Sequence, residues 1–307
     1  NRYPDGSGHQ LKKVLAKKLG VEPDQLTLGN GSNDVLDLIT RVVMEPGFEA
    51  IIPEHSFVVY KLSVTCANGE IVVAPAASGF GADLEAVRDR ISSKTRLIFI
   101  ANPNNPTGSY VPVDELRRLH AGLTSETLLV IDAAYAEYVS RNDYISGAEL
   151  VETFENVVMT RTYSKAFGLA ALRLGWAYCP PGIANVLNRV RNPFNVTAAA
   201  QVAGVAAVGD LSHTDAVVAH NDEWLPRFTD ELKGLGLEVP PSVGNFVLVR
   251  FGTAERAQSA YDHLIKRGVI TRMMGGYGLP DSLRITVGLG PELKAVLDGL
   301  SEHERAT

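Results

Sequence analysis

In this 307-residue chain, four blocks of polar residues stand directly behind or before short aliphatic runs, where a site is ordinarily assembled. VVMTRT, residues 157–162, ends in Thr162 and leads to Ser164 and Lys165; a stretch of small residues follows, with Arg173 eight residues beyond the lysine. Lys165 by itself reads as a solvated surface charge. LLVI, residues 128–131, delivers Asp132, followed by Ala133, Ala134 and Tyr135. A carboxylate at that point suits a helix N-cap, a metal ligand or the partner of a cationic cofactor. RLIFIA, residues 96–101, runs into Asn102-Pro103-Asn104-Asn105-Pro106-Thr107-Gly108. Its prolines restrict the residues before them and Gly108 permits a positive φ, which alone describes a rigid turn. Finally, Gly29-Asn30-Gly31-Ser32-Asn33-Asp34 precedes the helical pattern VLDLITRVV. Free backbone N–H groups at the positive end of a helix dipole are an anion site in waiting, although a glycine-rich helix start is a weak signal alone.

The elements that would carry these blocks follow a strand–helix rhythm. Aliphatic runs at 50–53, 71–75, 96–101, 128–133, 157–162 and 176–179 include several without polar alternation, as expected of strands buried on both faces of a mostly parallel sheet. Helical patterns at 33–43, 56–67, 82–91, 113–121 and 183–191 lie between them, and residues 9–19 form an amphipathic surface helix ending at Gly20. The expected fold class is α/β, with a doubly wound sheet. In such sheets ligands lie beyond the carboxyl ends of the strands, which is where the polar blocks fall. Past the Ala-rich stretch 197–208 and a long helical segment to about 234, strand-like NFVLVRF, a helix near 254–267, GVITRMM, LRITVG and a last helix predict a smaller α+β unit. The expected division is 27–220 for the large unit and 221–307 for the small one, with residues 1–26 packing near the latter.

The bulk numbers narrow the classes. A chain this long exceeds what one hydrophobic core usually serves, so two units are the prior. The net charge of −6 and the lack of a Lys/Arg block argue against nucleic acid or an anionic lipid surface as partner. No aliphatic run approaches membrane-spanning length. Cys66 and Cys179 and the seven scattered histidines give no ligand spacing, so no metal is expected. The polar opening Asn-Arg-Tyr-Pro-Asp is unlike a secretory signal, and a cytoplasmic location is expected.

Taken in order, GNGSND, NPTG, DAAY, SK and then an arginine, the chain resembles fold-type-I pyridoxal-phosphate (PLP) aminotransferases over nearly its whole length. More narrowly, RYPDGSG, PNNPTG, RTYSKAFGLAALRLGW, PFNV (193–196) and GGYGLPDSLRITVG (275–288) are similar to the histidinol-phosphate aminotransferase family. That resemblance implies roles. Lys165 would bind the cofactor's aldehyde covalently, yield it to the substrate amine and then carry a proton. Asp132 would keep the pyridine nitrogen protonated, and Tyr135 and Asn105 would hydrogen-bond the ring oxygen. Ser32, Asn33, Thr162, Ser164 and Arg173 would hold the cofactor phosphate, with Tyr3 reaching it across a homodimer interface. His55 would stack on the cofactor, with Phe57 and Tyr60 as rivals for that place. Arg284 would bind the substrate's acidic group and Arg272 would add a second cation, a pair better suited to a phosphate dianion than to one carboxylate.

The implied reaction is transamination of L-histidinol phosphate with 2-oxoglutarate, giving glutamate. Aromatic amino acid transamination, decarboxylation of a phosphorylated amino acid, or a non-catalytic member of the fold are the alternatives. A nicotinamide-binding fingerprint fails because Asp34 stands where its third glycine belongs. Two departures from the family pattern stand out. Ala133 replaces a glutamate common among relatives, and an N-terminal arm of several dozen residues that ordinarily covers the site does not precede Asn1, which weakens the expectation of full activity.

Overall fold

The computed structural model describes residues 1–306. The chain runs α1 (His9–Leu19), β1 (Leu26–Asn30), α2 (Ser32–Val43), β2 (Glu49–Pro53), α3 (Val58–Cys66), β3 (Glu70–Ala74), α4 (Leu84–Arg88), β4 (Thr95–Ala101), α5 (Val113–Ala121), β5 (Leu128–Asp132), α6 (Ala148–Thr153), β6 (Val157–Thr162), β7 (Leu174–Tyr178), α7 (Pro181–Val190) and α8 (Ala198–Gly209). It continues through α9 (Leu211–Gly234), β8 (Phe246–Arg250), α10 (Ala254–Lys266), β9 (Arg272–Met273), β10 (Ser282–Thr286) and α11 (Gly290–Ala306).

Seven strands form one sheet in the order β1-β7-β6-β5-β4-β2-β3. All neighbours are parallel except at β7, which runs against both β6 and β1. The cause is the short connection 163–173. A parallel return needs a crossover helix, whereas this segment turns straight back and holds Ser164, Lys165 and Arg173 at the sheet's carboxyl edge. Alternate residues of the central strands face two separate cores. Ile98, Ile100, Leu129 and Ile131 pack on one side, and Leu97, Phe99, Leu128 and Val130 on the other, which is why these strands show no polar alternation.

The second sheet is antiparallel, β8-β10-β9. Val247, Val249, Leu283 and Ile285 on it pack with Phe228, Leu232, Leu264, Leu293 and Leu300 from α9, α10 and α11. This core shares no residue with the other two, and its first buried member along the chain is Phe228 in α9; Thr307, the end of the expected small unit, lies outside the described residues.

Two elements depart from what the sequence implies. The segment expected near the small unit packs on the large one: Leu11, Leu15 and Ala16 join the core containing Leu174, Trp176 and Ala200, with α1 lying along α8. The apolar face of α1 matches the Ala-rich α8, where a methyl on Gly204 would collide with Leu174 Cδ2 at 2.5 Å and crowd Leu11 Cδ1 at 3.2 Å, so glycine leaves both side chains their place. Strand β1 is the second departure, since the sequence marks Gly29-Asn30 only as the approach to α2. Its Gly29 and Asn30 have low strand propensity, and pairing with β7 overrides them.

Candidate active site

A cavity of about 250 Å³ opens where β4, β5 and β6 end. Of the residues singled out from the sequence, Ser32, Asn33, Asn105, Asp132, Tyr135, Thr162, Ser164, Lys165 and Arg173 line it. Phe57 and Tyr60 line it too.

The floor is the Asp132 carboxylate, fully interior. The Tyr60 hydroxyl donates to its Oδ2 at 2.8 Å and the Thr160 hydroxyl to its Oδ1 at 3.0 Å. Burial raises the pKa of this carboxyl; the Tyr60 and Thr160 hydrogen bonds, the nearby Lys165 amine and the Ala134 N–H oppose that rise. No helix starts at Asp132, so it is not a cap. Among the described residues no group of three or more His, Cys, Asp or Glu is placed to hold a metal ion.

The Lys165 amine lies within electrostatic reach of Asp132 and 5.1 Å from the centroid of the Tyr135 ring. Burial lowers its pKa, and the positive charges of Arg284, Arg173 and Arg272 add to the effect while Asp132 resists it. An amine disposed to lose its proton is a better nucleophile and base than a surface lysine. Tyr135 is buried against Phe246, and its phenol is pushed up to about 12, chiefly by burial.

The other wall collects donors. Helix α2 begins at Ser32, and Gly31 before it has φ 77°, a left-handed conformation that a side chain disfavours. A methyl on Gly31 would also press on the Arg173 guanidinium, with its Cζ at 2.9 Å, so glycine leaves that side chain its place. Ser164 N–H donates to Thr162 Oγ1 at 3.1 Å, and Arg173 Nη1 donates to the Ala170 carbonyl at 3.0 Å and approaches Ser164 Oγ at 3.4 Å. Two hydroxyls, a guanidinium and the start of a helix thus converge, a donor set for a phosphate.

Four of the residues picked from the sequence lie elsewhere. His55, expected to stack on the cofactor, is outside the cavity: its φ of 55° turns the side chain to the Tyr277 carbonyl, 2.7 Å from Nδ1. Phe57 occupies the wall instead, and Tyr60 reaches Asp132. Tyr3 is 82% exposed and stacks on Phe194, so within one chain it meets no part of the cavity. Arg272 and Arg284 line an adjoining cavity of about 580 Å³ on the small unit, paired opposite each other across β9 and β10. Residues directly opposite share a face of the sheet. Arg284 donates to Asn105 Oδ1, which ties the two cavities together. A larger open groove of about 1020 Å³ along α10, containing Ser259, His263 and His303, includes none of the residues picked from the sequence.

The fold recurs in known proteins. The family model for aminotransferase class I and II matches residues 1–299. The chain belongs to the class I and II aminotransferases. Within that family it is 50% identical over 303 residues to the histidinol-phosphate aminotransferase of Rhodospirillum centenum, covering 98% of this chain and 83% of that one. It is 46% identical to the enzyme of the same name from Paramagnetospirillum magneticum, covering 98% and 84%. Among solved structures, the Sinorhizobium meliloti histidinol-phosphate aminotransferase in complex with pyridoxal-5'-phosphate superposes with a TM-score of 0.94 at 30% identity, covering 99% of this chain and 83% of that one. An aspartate aminotransferase of Thermus thermophilus, 23% identical over 98% of this chain and 84% of that one, shares the aminotransferase fold with a TM-score of 0.85.

Proposed function

We propose that this chain catalyses PLP-dependent transamination of L-histidinol phosphate with 2-oxoglutarate, an amine-transfer step of histidine biosynthesis, as a cytoplasmic homodimer. The observation that carries the reading is the convergence, on one cavity, of a deprotonation-prone amine, a buried carboxylate and a phosphate-type donor set at Lys165, Asp132 and the α2–Arg173 wall. These suit the aldehyde, the ring nitrogen and the phosphate of PLP in turn. When bound, the cofactor supplies an electron sink for the carbon that loses its proton.

The chain's own residues do the rest. From its half-buried wall Lys165 would hold the cofactor's aldehyde and would be the base that takes and returns that proton. Asp132 supplies the negative charge that holds a ring nitrogen cationic, and Asn105 and Tyr135 present donors to the ring oxygen. Arg272 and Arg284, like charges facing each other across two strands, disfavour one another until an anion joins them. Both positive charges also act on Tyr135, which ties that anion site to the reacting end. A substrate phosphate is a fitting occupant, as the names of the relatives at 44–50% identity also favour. The exposed Tyr3–Phe194 stack supports a second copy of the chain as partner. Purified protein given PLP, histidinol phosphate and 2-oxoglutarate is expected to form glutamate. Turnover of phenylalanine or tyrosine without turnover of histidinol phosphate, or release of carbon dioxide, overturns the assignment.

A further inference from the structure

We propose that Tyr60 is a positioning residue for the reaction: its hydroxyl, seconded by that of Thr160, holds the Asp132 carboxylate charged and fixed in rotation for the cofactor's ring nitrogen. The inference rests on the PLP reading above. It starts from a phenol that has every reason to be a phenylalanine. Tyr60 is completely buried, its ring stacked on Phe99 at 4.6 Å and 3° and set edge-on to Phe57 at 5.8 Å and 87°. Packing of that kind needs no oxygen, and a buried hydroxyl is costly unless it is paired.

Here the oxygen has one hydrogen-bond partner among the described residues, Asp132 Oδ2 at 2.8 Å. Thr160 likewise gives its hydroxyl to Oδ1 at 3.0 Å. Each carboxylate oxygen therefore accepts one hydroxyl from groups whose own positions are set: Tyr60 by its aromatic clamp in the first turn of α3, Thr160 by its place in β6 beside β5. A carboxylate held from both oxygens cannot rotate, and two donors favour its charged form over its protonated one. A dipole already in place when the cation arrives costs no rearrangement. Tyr60 never has to touch the reacting atoms; it acts through Asp132.

The test is a pair of substitutions in the full chain, Tyr60→Phe and Thr160→Val, each read by two ligands. One is PLP; the other is its carbocyclic analogue, in which a C–H replaces the ring nitrogen. Titration of the apoprotein at neutral pH gives both dissociation constants. Loss of the Tyr60 donor is expected to weaken PLP about tenfold to a hundredfold while leaving the analogue within about twofold, since only the ring nitrogen senses the carboxylate's charge. Thr160→Val leaves the aromatic stack untouched and should show the same selectivity with a smaller loss. Equal weakening of both ligands means a merely structural role and overturns the proposal, as does undiminished PLP affinity. A parent protein that fails to bind PLP would sink the cofactor reading itself, a distinct result.

Discussion

Gly175 offers a severe test of the phosphate wall. It sits in β7 opposite Gly29 of β1, under the start of α2. A methyl group at this position would press on the Ser32 backbone nitrogen, with Gly31 C at 2.7 Å and Ser32 Cα at 2.8 Å. Non-bonded carbons keep about 3.5 Å apart, so in Gly175→Ala the first turn of α2 must retreat by roughly 1 Å. The obstacle is backbone and cannot swing away. It is also tethered, because the Asp34 carboxylate accepts from Asn30 N–H and from Asn195 Nδ2, both at 2.8 Å. Overpacking of this kind costs about 1–3 kcal/mol of stability. The larger effect should fall on the ligand. Donors displaced by roughly 1 Å lose most of a charge-assisted hydrogen bond, about 1.5–3 kcal/mol, or about tenfold to a hundredfold in PLP affinity. Fluorescence titration of apoprotein with PLP reads this directly, and pyridoxal, which lacks the phosphate, serves as the control that should change little. PLP binding within about twofold of the parent, or equal losses for pyridoxal, would refute the assignment of this wall to a phosphate.

Other outcomes follow from the site and its surroundings. Arg272→Ala should raise KM for histidinol phosphate about tenfold, as expected for loss of a charged hydrogen bond, while thermal stability stays level or rises because a like-charge cross-strand pair is relieved; a lowered Tm with unchanged KM contradicts this. Lys12 is half-buried beside Arg191, and burial first, then that charge, lowers its pKa from 10.5 to about 8. The unfolded chain therefore binds this proton more tightly, so the penalty is full below about pH 8 and fades as pH rises toward 10.5. Tm of the parent measured against Lys12→Met should show the difference between them narrowing across that window, and a constant difference would exclude it. Cys66 is exposed while Cys179 is buried and pushed up to about 12 by burial, so native protein should label rapidly at one thiol and at both only after unfolding; rapid labelling of Cys179 contradicts the burial.

The legible parts of the fold were those in which sequence and packing agree. Runs such as LLVID and VVMTRT are aliphatic because both faces of their strands are covered, and their terminal polar residues stand where the sheet ends. Nine of the residues to which the family resemblance gives roles line the cavity, although their types and positions alone left blander readings open. His55 misled because the chain before α3 turns through a positive φ there, and no residue type announces that for histidine. Phe57 and Tyr60 are three apart, a spacing that puts both on one side of a helical turn. Tyr60's partner, Asp132, is 72 residues distant, so the contact exists only after the sheet has formed. The placement of α1 was illegible for the same reason: an apolar face states that something covers it and leaves open what.

Strand β6 carries two incompatible duties on successive side chains. Thr160 and Thr162 serve the ligand side, while Arg161 between them points into the opposite core, ion-paired with Glu137 and 5.8 Å from the Trp176 ring. Deletion or insertion of a single residue upstream in this strand would bring a guanidinium to the floor of the cavity and leave Glu137 stranded in apolar surroundings. Length changes in the chain's history should thus be confined to its connecting loops, with β6 fixed in reading frame like a ruler against which the other donors are measured.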